Sequence, residues 1–261
     1  MPRLPTLVRR PARAIRRRLP TVGTSRLKVG KFVAPTGLRP LEPDELAATE
    51  AFHRVYYESW AGGRKDGPKK DRGTIALSWF GYRTLKCPLD LWTYQEILVE
   101  TRPDLVVECG TRHGGSAYYI ASILDLLGHG RVMTIDIEAV KGRPVHPRIT
   151  YLLGSSTDPG ILEQVRRQAA GKRTMVILDS DHAQPHVSAE LVAYRDIVSV
   201  GCYLIVEDTN VNGHPVHPEH GPGPMEALGG FLATTDDFVV DADRERFMMT
   251  LNPRGFLKRV R

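Results

Sequence analysis

The apolar positions of this chain repeat with two periods. Short β-branched or aliphatic runs at 106–107, 131–137, 149–153, 174–178 and 201–206 read as buried strands. Segments 117–127, 159–169, 187–198 and 225–233 place apolar residues at helical spacing. Strand and helix largely in turn predict an α/β fold: a mostly parallel sheet, helices on both faces, and ligands at the carboxyl ends of the strands. Two further runs, 238–240 and 247–251, read as a closing antiparallel hairpin and bring the strands to about seven. Ahead of the first strand, residues 41–57 and a stretch with Leu91, Tyr94, Ile97 and Leu98 on one face predict helices, with Asp90 as the second helix's N-cap. Trp79, Phe80 and Tyr82 precede that helix in an aromatic-rich segment that core packing mostly explains, with the wall of a ligand pocket as the second reading.

Composition adds a boundary. At 261 residues and 41% hydrophobic content the chain fits one domain with an appendage, and no run approaches the roughly 18 apolar residues of a membrane span. Residues 1–31 hold ten of the 36 Lys and Arg residues and no acid, which leaves 26 basic against 30 acidic groups in the remainder. A basic footprint confined to a tail, on a mildly acidic body, argues against a nucleic-acid enzyme. Pro2, Pro5, Pro11 and Pro20 interrupt any transit-type helix, and no apolar core for a secretory signal is present, so 1–31 reads as a solvated tail. Residues 32–100 read as a helical cap or lid, with a polar, glycine- and lysine-rich loop at 62–73 as a mobile segment or a plain surface loop, and 101–261 as the catalytic domain. Cys87, Cys109 and Cys202 without a C-x-x-C pair imply reduced thiols and a cytoplasmic setting.

The first strand ends in Glu108-Cys109-Gly110-Thr111-Arg112-His113-Gly114-Gly115-Ser116. The glycines suit a sharp turn and a helix beginning close against the sheet with its N–H groups exposed. The spacing is neither G-x-G-x-x-G nor a phosphate loop, and a strand-end acid suits a cationic ligand better than a pyrophosphate. The acid-x-Gly-x-x-x-Gly pattern resembles the first motif of class I methyltransferases, in which that acid faces the amino group of S-adenosylmethionine. The next strand ends at Asp136, 28 positions after Glu108 and near the offset at which an acid meets ribose hydroxyls.

A second set of acids ends two later strands: Asp179-Ser180-Asp181-His182 and Glu207-Asp208-Thr209-Asn210. Neighbouring parallel strands let Asp179, Glu207 and Asp208 converge on one hard cation, and an oxygen-only set suits Mg²⁺. The alternative is that one acid caps the following helix while the others face solvent. His182, three residues after Asp179, is the candidate general base, since a free imidazole's pKa of roughly 6.5 suits that role; the alternative for a lone histidine is a structural one. His186 follows Pro185, which argues against a regular zinc-binding pair. The proline- and histidine-rich segment 212–224 reads as a rigid loop facing the substrate.

Together, Glu108 to Ser116, Ile177 to His182 and Ile205 to Asn210 resemble the cephalosporin hydroxylase/rhamnosyl O-methyltransferase family over roughly residues 75–260, leaving the tail and first helix outside. The resemblance implies a Rossmann-like class I methyltransferase fold and an S-adenosylmethionine- and Mg²⁺-dependent O-methyltransferase acting on a sugar or polyol hydroxyl of a glycosylated metabolite. It places Asp179, Glu207, Asp208 and His182 around Mg²⁺, with the three acids taken as the ligands and His182 kept as the candidate base. The cofactor set is then Glu108, Gly110, Thr111, Arg112, Gly114, Ser116, Asp136, Ser155, Ser156 and Asp179, with Ser155 standing where an Asp is common. A homo-oligomer is expected. The hydroxylase in the family name leaves open an oxygenase-associated S-adenosylmethionine-binding protein, and the tail a module for anionic surfaces.

Overall fold

The computed structural model describes residues 30, 36, 37, 39–61 and 77–261; the basic tail apart from Gly30, and the 62–73 loop, lie outside the described residues. A helix α1 (Pro43–Ala61) leads, followed after the gap by a two-stranded hairpin, β1 (Ser78–Trp79) and β2 (Tyr82–Arg83), and helix α2 (Pro88–Thr101). Strand β3 (Leu105–Cys109) and helix α3 (Gly115–Leu127) come next, then β4 (Arg131–Asp136), β5 (Ile149–Leu153), α4 (Pro159–Ala169), β6 (Thr174–Leu178), α5 (Gln184–Tyr194), β7 (Tyr203–Val206), α6 (Pro224–Leu232), β8 (Phe238–Val240) and β9 (Phe256–Arg259).

Seven strands form one sheet in the order β5-β4-β3-β6-β7-β9-β8. The five from β3 to β7 are parallel, and β9 runs antiparallel to both β7 and β8. Every residue of β3, β6 and β7 is buried, as strands covered on both faces require. The sheet is the Rossmann-like one expected from the sequence. α2, grouped with the N-terminal segment in the sequence reading, packs against α3 and gives Tyr94, Ile97 and Leu98 to the main core.

Three local expectations are corrected. The closing strand is 256–259, not 247–251: Met249 and Leu251 pack instead with Cys87 in a separate cluster, and Gly255 gives its carbonyl to Val206 N at 2.9 Å, where β9 joins β7. Asp90 is no N-cap, since Cys87 holds that position; its buried carboxylate accepts from Thr250 Oγ1 at 2.5 Å and Leu251 N at 3.0 Å, and so anchors the misread segment. Helix α5 starts at Gln184, three residues earlier than the apolar spacing indicated, because Pro185 in its first turn supports a helix start rather than breaking one.

The order reverses between β3 and β6, since β3 leads outward through β4 to β5 and β6 leads the other way. That is where a doubly wound sheet opens a crevice. Gly110 marks it, with φ +98° and a position where an added Cβ would meet the Asp179 carbonyl oxygen at 1.8 Å. Gly128 also has positive φ, +65°, but lies in open space. Gly128→Ala should therefore cost only the backbone term, about 1–2 kcal/mol, whereas Gly110→Ala adds an overpacking cost of about 1–3 kcal/mol. Denaturant unfolding of both variants checks this; equal losses would show that the contact between the two strand ends carries no weight.

Candidate active site

Main-chain hydrogen bonds tie the loops leaving the sheet to neighbouring strand ends. Gly110 N donates to Ile135 O at 2.9 Å, Asp179 N to Cys109 O at 2.8 Å, Glu207 N to Leu178 O at 2.9 Å and Gly154 N to Asp136 O at 2.9 Å. Residues after four different strands thus meet around one cavity of about 750 Å³. Gly110, Thr111, Arg112, Ser116, Asp136, Ser155, Ser156, Asp179, His182 and Asp208 all line it, as the sequence reading required of a common site. Gly114 lies behind the wall as the N-cap of α3, and its neighbour Gly115 lines the cavity in its place. A Cβ on Gly115 would meet the Arg83 carbonyl at 2.2 Å, so the segment after β2 crosses directly over the start of α3.

Glu108 does not reach the cavity. Strand β3 continues one residue past it, and the side chain is wholly buried. Its Oε2 accepts from Thr134 Oγ1 at 2.6 Å, its Oε1 has no partner among the described residues, and burial pushes its carboxyl up despite Lys86 and Ser116. Asp136 is at the rim as expected. It is already engaged, with Oδ2 accepting from Arg112 N at 2.6 Å and lying 3.2 Å from Arg143 Nη2, and Oδ1 accepting from Glu138 N at 2.8 Å. These contacts hold its carboxylate in one orientation and leave part of its acceptor capacity open. Ser155 pairs with Thr157 at 3.0 Å, and Ser156 with His186 at 3.2 Å.

The second cluster forms at the ends of β6 and β7. His182 Nε2 lies 3.3 Å from Asp179 Oδ1 and 3.1 Å from Asp208 Oδ2, and these three residues offer ligand atoms within 4.8 Å of one another. The two carboxylates offer a divalent cation oxygen ligands, with the imidazole close beside them. Asp208 takes a left-handed backbone, φ +53°, stabilised by Asn252 Oδ1 accepting from its N–H at 3.1 Å.

Glu207, expected as a third ligand, turns away from this group. Its Oε1 accepts from Lys86 Nζ at 2.6 Å and from Tyr94 OH at 2.7 Å. Lys86, which no motif indicated, lies 3% exposed between Glu207 and Asp179 Oδ2, in contact with both. Among the described residues it is the buried cation of the site. Its neighbours decide the local protonation. Burial would depress the Lys86 ammonium, but Asp179 and Glu207 outweigh that and hold it firmly charged. Burial would raise Asp179, but the Lys86 ammonium and His182 keep it below the usual carboxylate range. Burial raises Glu207 and Asp208. Burial alone would lower His182, but Asp208 and Asp179 raise it to about 9.

Comparison with known proteins now adds to this geometry. Residues 72–260 match the family model described as rhamnosyl O-methyltransferase/CmcI. The chain belongs to that family. A rhamnosyl O-methyltransferase of Mycobacterium bovis (strain BCG / Pasteur 1173P2) is 40% identical over 247 residues, covering 91% of this chain and 94% of the relative. The 9% left out, about 23 of the 261 residues, is too little to exclude α1, so the likeness extends past the 75–260 span expected from the motifs. Two solved structures share the fold. "CmcI-N160 apo-structure" has a TM-score of 0.57 at 23% identity, with 89% of this chain and 90% of that one covered. "cmcI-D160 Mg-SAM" has 0.56 at 22%, with 88% and 89% covered.

Within the family fold, Trp79 and Tyr82 follow the packing reading, and neither the aromatics of that segment nor the histidine-rich loop supplies the wall of this cavity. Trp79 packs edge-on against Tyr119 and Tyr82 against Tyr118, while Phe80 is 77% exposed; the segment's contribution to the cavity comes from Arg83, Leu85 and Lys86. The histidine-rich loop does not line this cavity. His214 is held by Glu226 at 2.9 Å, and with Gly213 and Pro215 it lines a second cavity of about 570 Å³ beside α1.

A pH signature follows from His182. Its folded pKa of about 9 lies above the ordinary value of 6.5, so the proton contributes stability in full below pH 6.5 and that contribution is lost as pH rises through 9. Without added metal, wild type should lose up to about 3 kcal/mol more than His182→Gln across that window. Parallel stability curves for the two proteins would show that His182 gains no charge partner on folding.

Proposed function

We propose that this chain is an S-adenosylmethionine-dependent, Mg²⁺-dependent O-methyltransferase whose acceptor is a sugar hydroxyl, with a rhamnosyl unit of a glycosylated metabolite as the first candidate. The observation that carries the reading is the opening of the cavity at the sheet's reversal directly onto Asp179, His182 and Asp208. Family membership and the relatives' name support methyl transfer and the sugar; the Mg and SAM in the "cmcI-D160 Mg-SAM" structure support the cofactor and metal.

In this reading the cavity between Gly110, Asp136 and Ser155 holds the methyl donor, with Asp136 directed at ribose hydroxyls and the Gly110–Ser116 turn beneath the amino acid portion. Asp179 and Asp208 would hold the cation, which supplies Lewis-acid lowering of the acceptor hydroxyl's pKa. With those carboxylates so engaged, the pairing that keeps a proton on His182 would be weakened, and neutral Nε2 would be placed to accept the acceptor hydroxyl's proton. S-adenosylmethionine, when bound, would supply the methyl group. Glu108 acts from below, bracing Thr134 and the turn.

Apart from Tyr57, Arg83, Leu85 and Lys86, the cavity wall comes from 101–261, which supports reading that span as the catalytic domain and 32–100 as its cap, with 1–31 as a tail. Free, buried cysteines support a cytoplasmic setting, and no helix among the described residues is long and apolar enough to cross a membrane. Exposed Phe52 and Val55 on α1 support self-association, and the acidic body supports a small-molecule partner over nucleic acid.

Purified protein with methyl-labelled S-adenosylmethionine, Mg²⁺ and a panel of rhamnosides should yield a labelled methyl ether, and chelation should stop it. Cofactor binding without transfer to any sugar would favour the oxygenase-associated reading; full turnover of Asp208→Asn in chelator would remove the cation. Two variants should also divide the site. His182→Ala should lower kcat by roughly 10²-fold or more with cofactor Kd nearly unchanged. Asp136→Ala should weaken cofactor Kd at least about tenfold. If both variants lost binding and turnover together, the separation into base and ribose contact would be wrong.

A further inference from the structure

Lys86 has no part in the reaction just described, yet it is the buried cation of the site among the described residues. It lies immediately before Cys87, the N-cap of α2, so its backbone is fixed by a helix in the main core. The ammonium is 3% exposed and touches Asp179 Oδ2 and, at 2.6 Å, Glu207 Oε1. Glu207 Oε1 also accepts from Tyr94 OH at 2.7 Å, and Tyr94 OH accepts from Asn252 Nδ2 at 3.3 Å. Asn252 in turn fixes the Asp208 backbone at 3.1 Å. One polar chain therefore runs from Lys86 through Glu207, Tyr94 and Asn252 to the residue facing His182.

Asp179 is divided between two positive partners. Its Oδ1 faces His182 Nε2 at 3.3 Å, on the side where Asp208 also lies, and its Oδ2 is held by Lys86. Three carboxylates crowd this end of the sheet. Lys86 neutralises one unit of that charge permanently, at contact distance from one proposed ligand and from the glutamate beside the other.

We propose that Lys86 is a tethered counter-ion that competes with a divalent cation for Asp179 and Glu207, holding the site's cation affinity down so that metal binds reversibly. The inference rests on the cation reading of Asp179 and Asp208, and the measurements below separate the two. Removing a unit positive charge in contact with a ligand leaves the site more negative, and in a shielded cleft that attraction is large. Lys86→Met should therefore bind Mn²⁺ at least tenfold more tightly than wild type, measured by calorimetry or by the loss of the free Mn²⁺ paramagnetic signal without cofactor or acceptor.

Lys86→Met also leaves buried carboxylates without their partner, a change that can prevent folding. The same comparison is therefore made in a second background: Lys86→Met/Glu207→Gln against Glu207→Gln, where the buried pair is removed together. There too the loss of Lys86 should tighten Mn²⁺ binding at least tenfold. Equal or weaker affinity on removing Lys86, in whichever background folds, overturns the proposal. If wild type binds Mn²⁺ and the affinity does not respond to Lys86, this inference fails and the cation reading stands. If neither wild type nor variant binds Mn²⁺, the cation reading fails and takes this inference with it. Binding by the variant and none by wild type supports Lys86 as the counter-ion and removes the cation requirement from the native enzyme.

Discussion

The arrangement of this protein depends on how three carboxylates are kept together at the ends of two adjacent strands. Asp179, Glu207 and Asp208 converge because β6 and β7 are parallel neighbours, and three carboxylates gathered in one largely shielded place repel strongly when ionised. Two positive groups balance them. Lys86 reaches Asp179 and Glu207 from the segment before α2, and His182 reaches Asp179 and Asp208 from the loop after β6. Each carboxylate thus has a basic partner within reach, which lowers the cost of keeping such groups away from water. The raised pKa of His182 is the visible trace of that balance.

The same balance ties separate parts of the chain together. Lys86 comes from a segment distant in sequence, and its neighbour Cys87 packs with Met249 and Leu251. Asp90, a few residues on, accepts from Thr250 and Leu251 and so fastens the loop that carries Asn252. Asn252 then supports the strained backbone of Asp208. The irregular segment between β8 and β9 is therefore the brace beneath the acids, and its Met249 and Leu251 are buried by packing with Cys87 at the α2 end rather than by strand pairing.

The crevice has its own constraint. At the reversal between β3 and β6 the backbone of Gly110 passes so close to Asp179 that no side chain fits. That contact places the glycine turn, read as the cofactor platform, against the first of the acids read as the reaction site. A single cavity can then hold a donor and lie beside a proton acceptor, which is the geometric need of direct group transfer.

Much of this was legible in the sequence because the signals are local. Alternating apolar periods give the parallel sheet, and acids and glycines at strand ends must lie at one edge once the strands are parallel, so Gly110, Asp136, Asp179, His182 and Asp208 could be assigned to one site from their positions alone. What only the tertiary structure decided depends on partners far apart in the chain. Whether Glu207 faces a cation or a lysine is set by Lys86, 121 residues away; whether Asp90 caps a helix or fastens a loop is set by Thr250, 160 residues away. The apolar run at 247–251 looks like a strand because burial against a sheet and burial against a helix end select the same residue types. Sequence period reports that a side chain is buried; the partner it meets there is chosen by the packing of the whole chain.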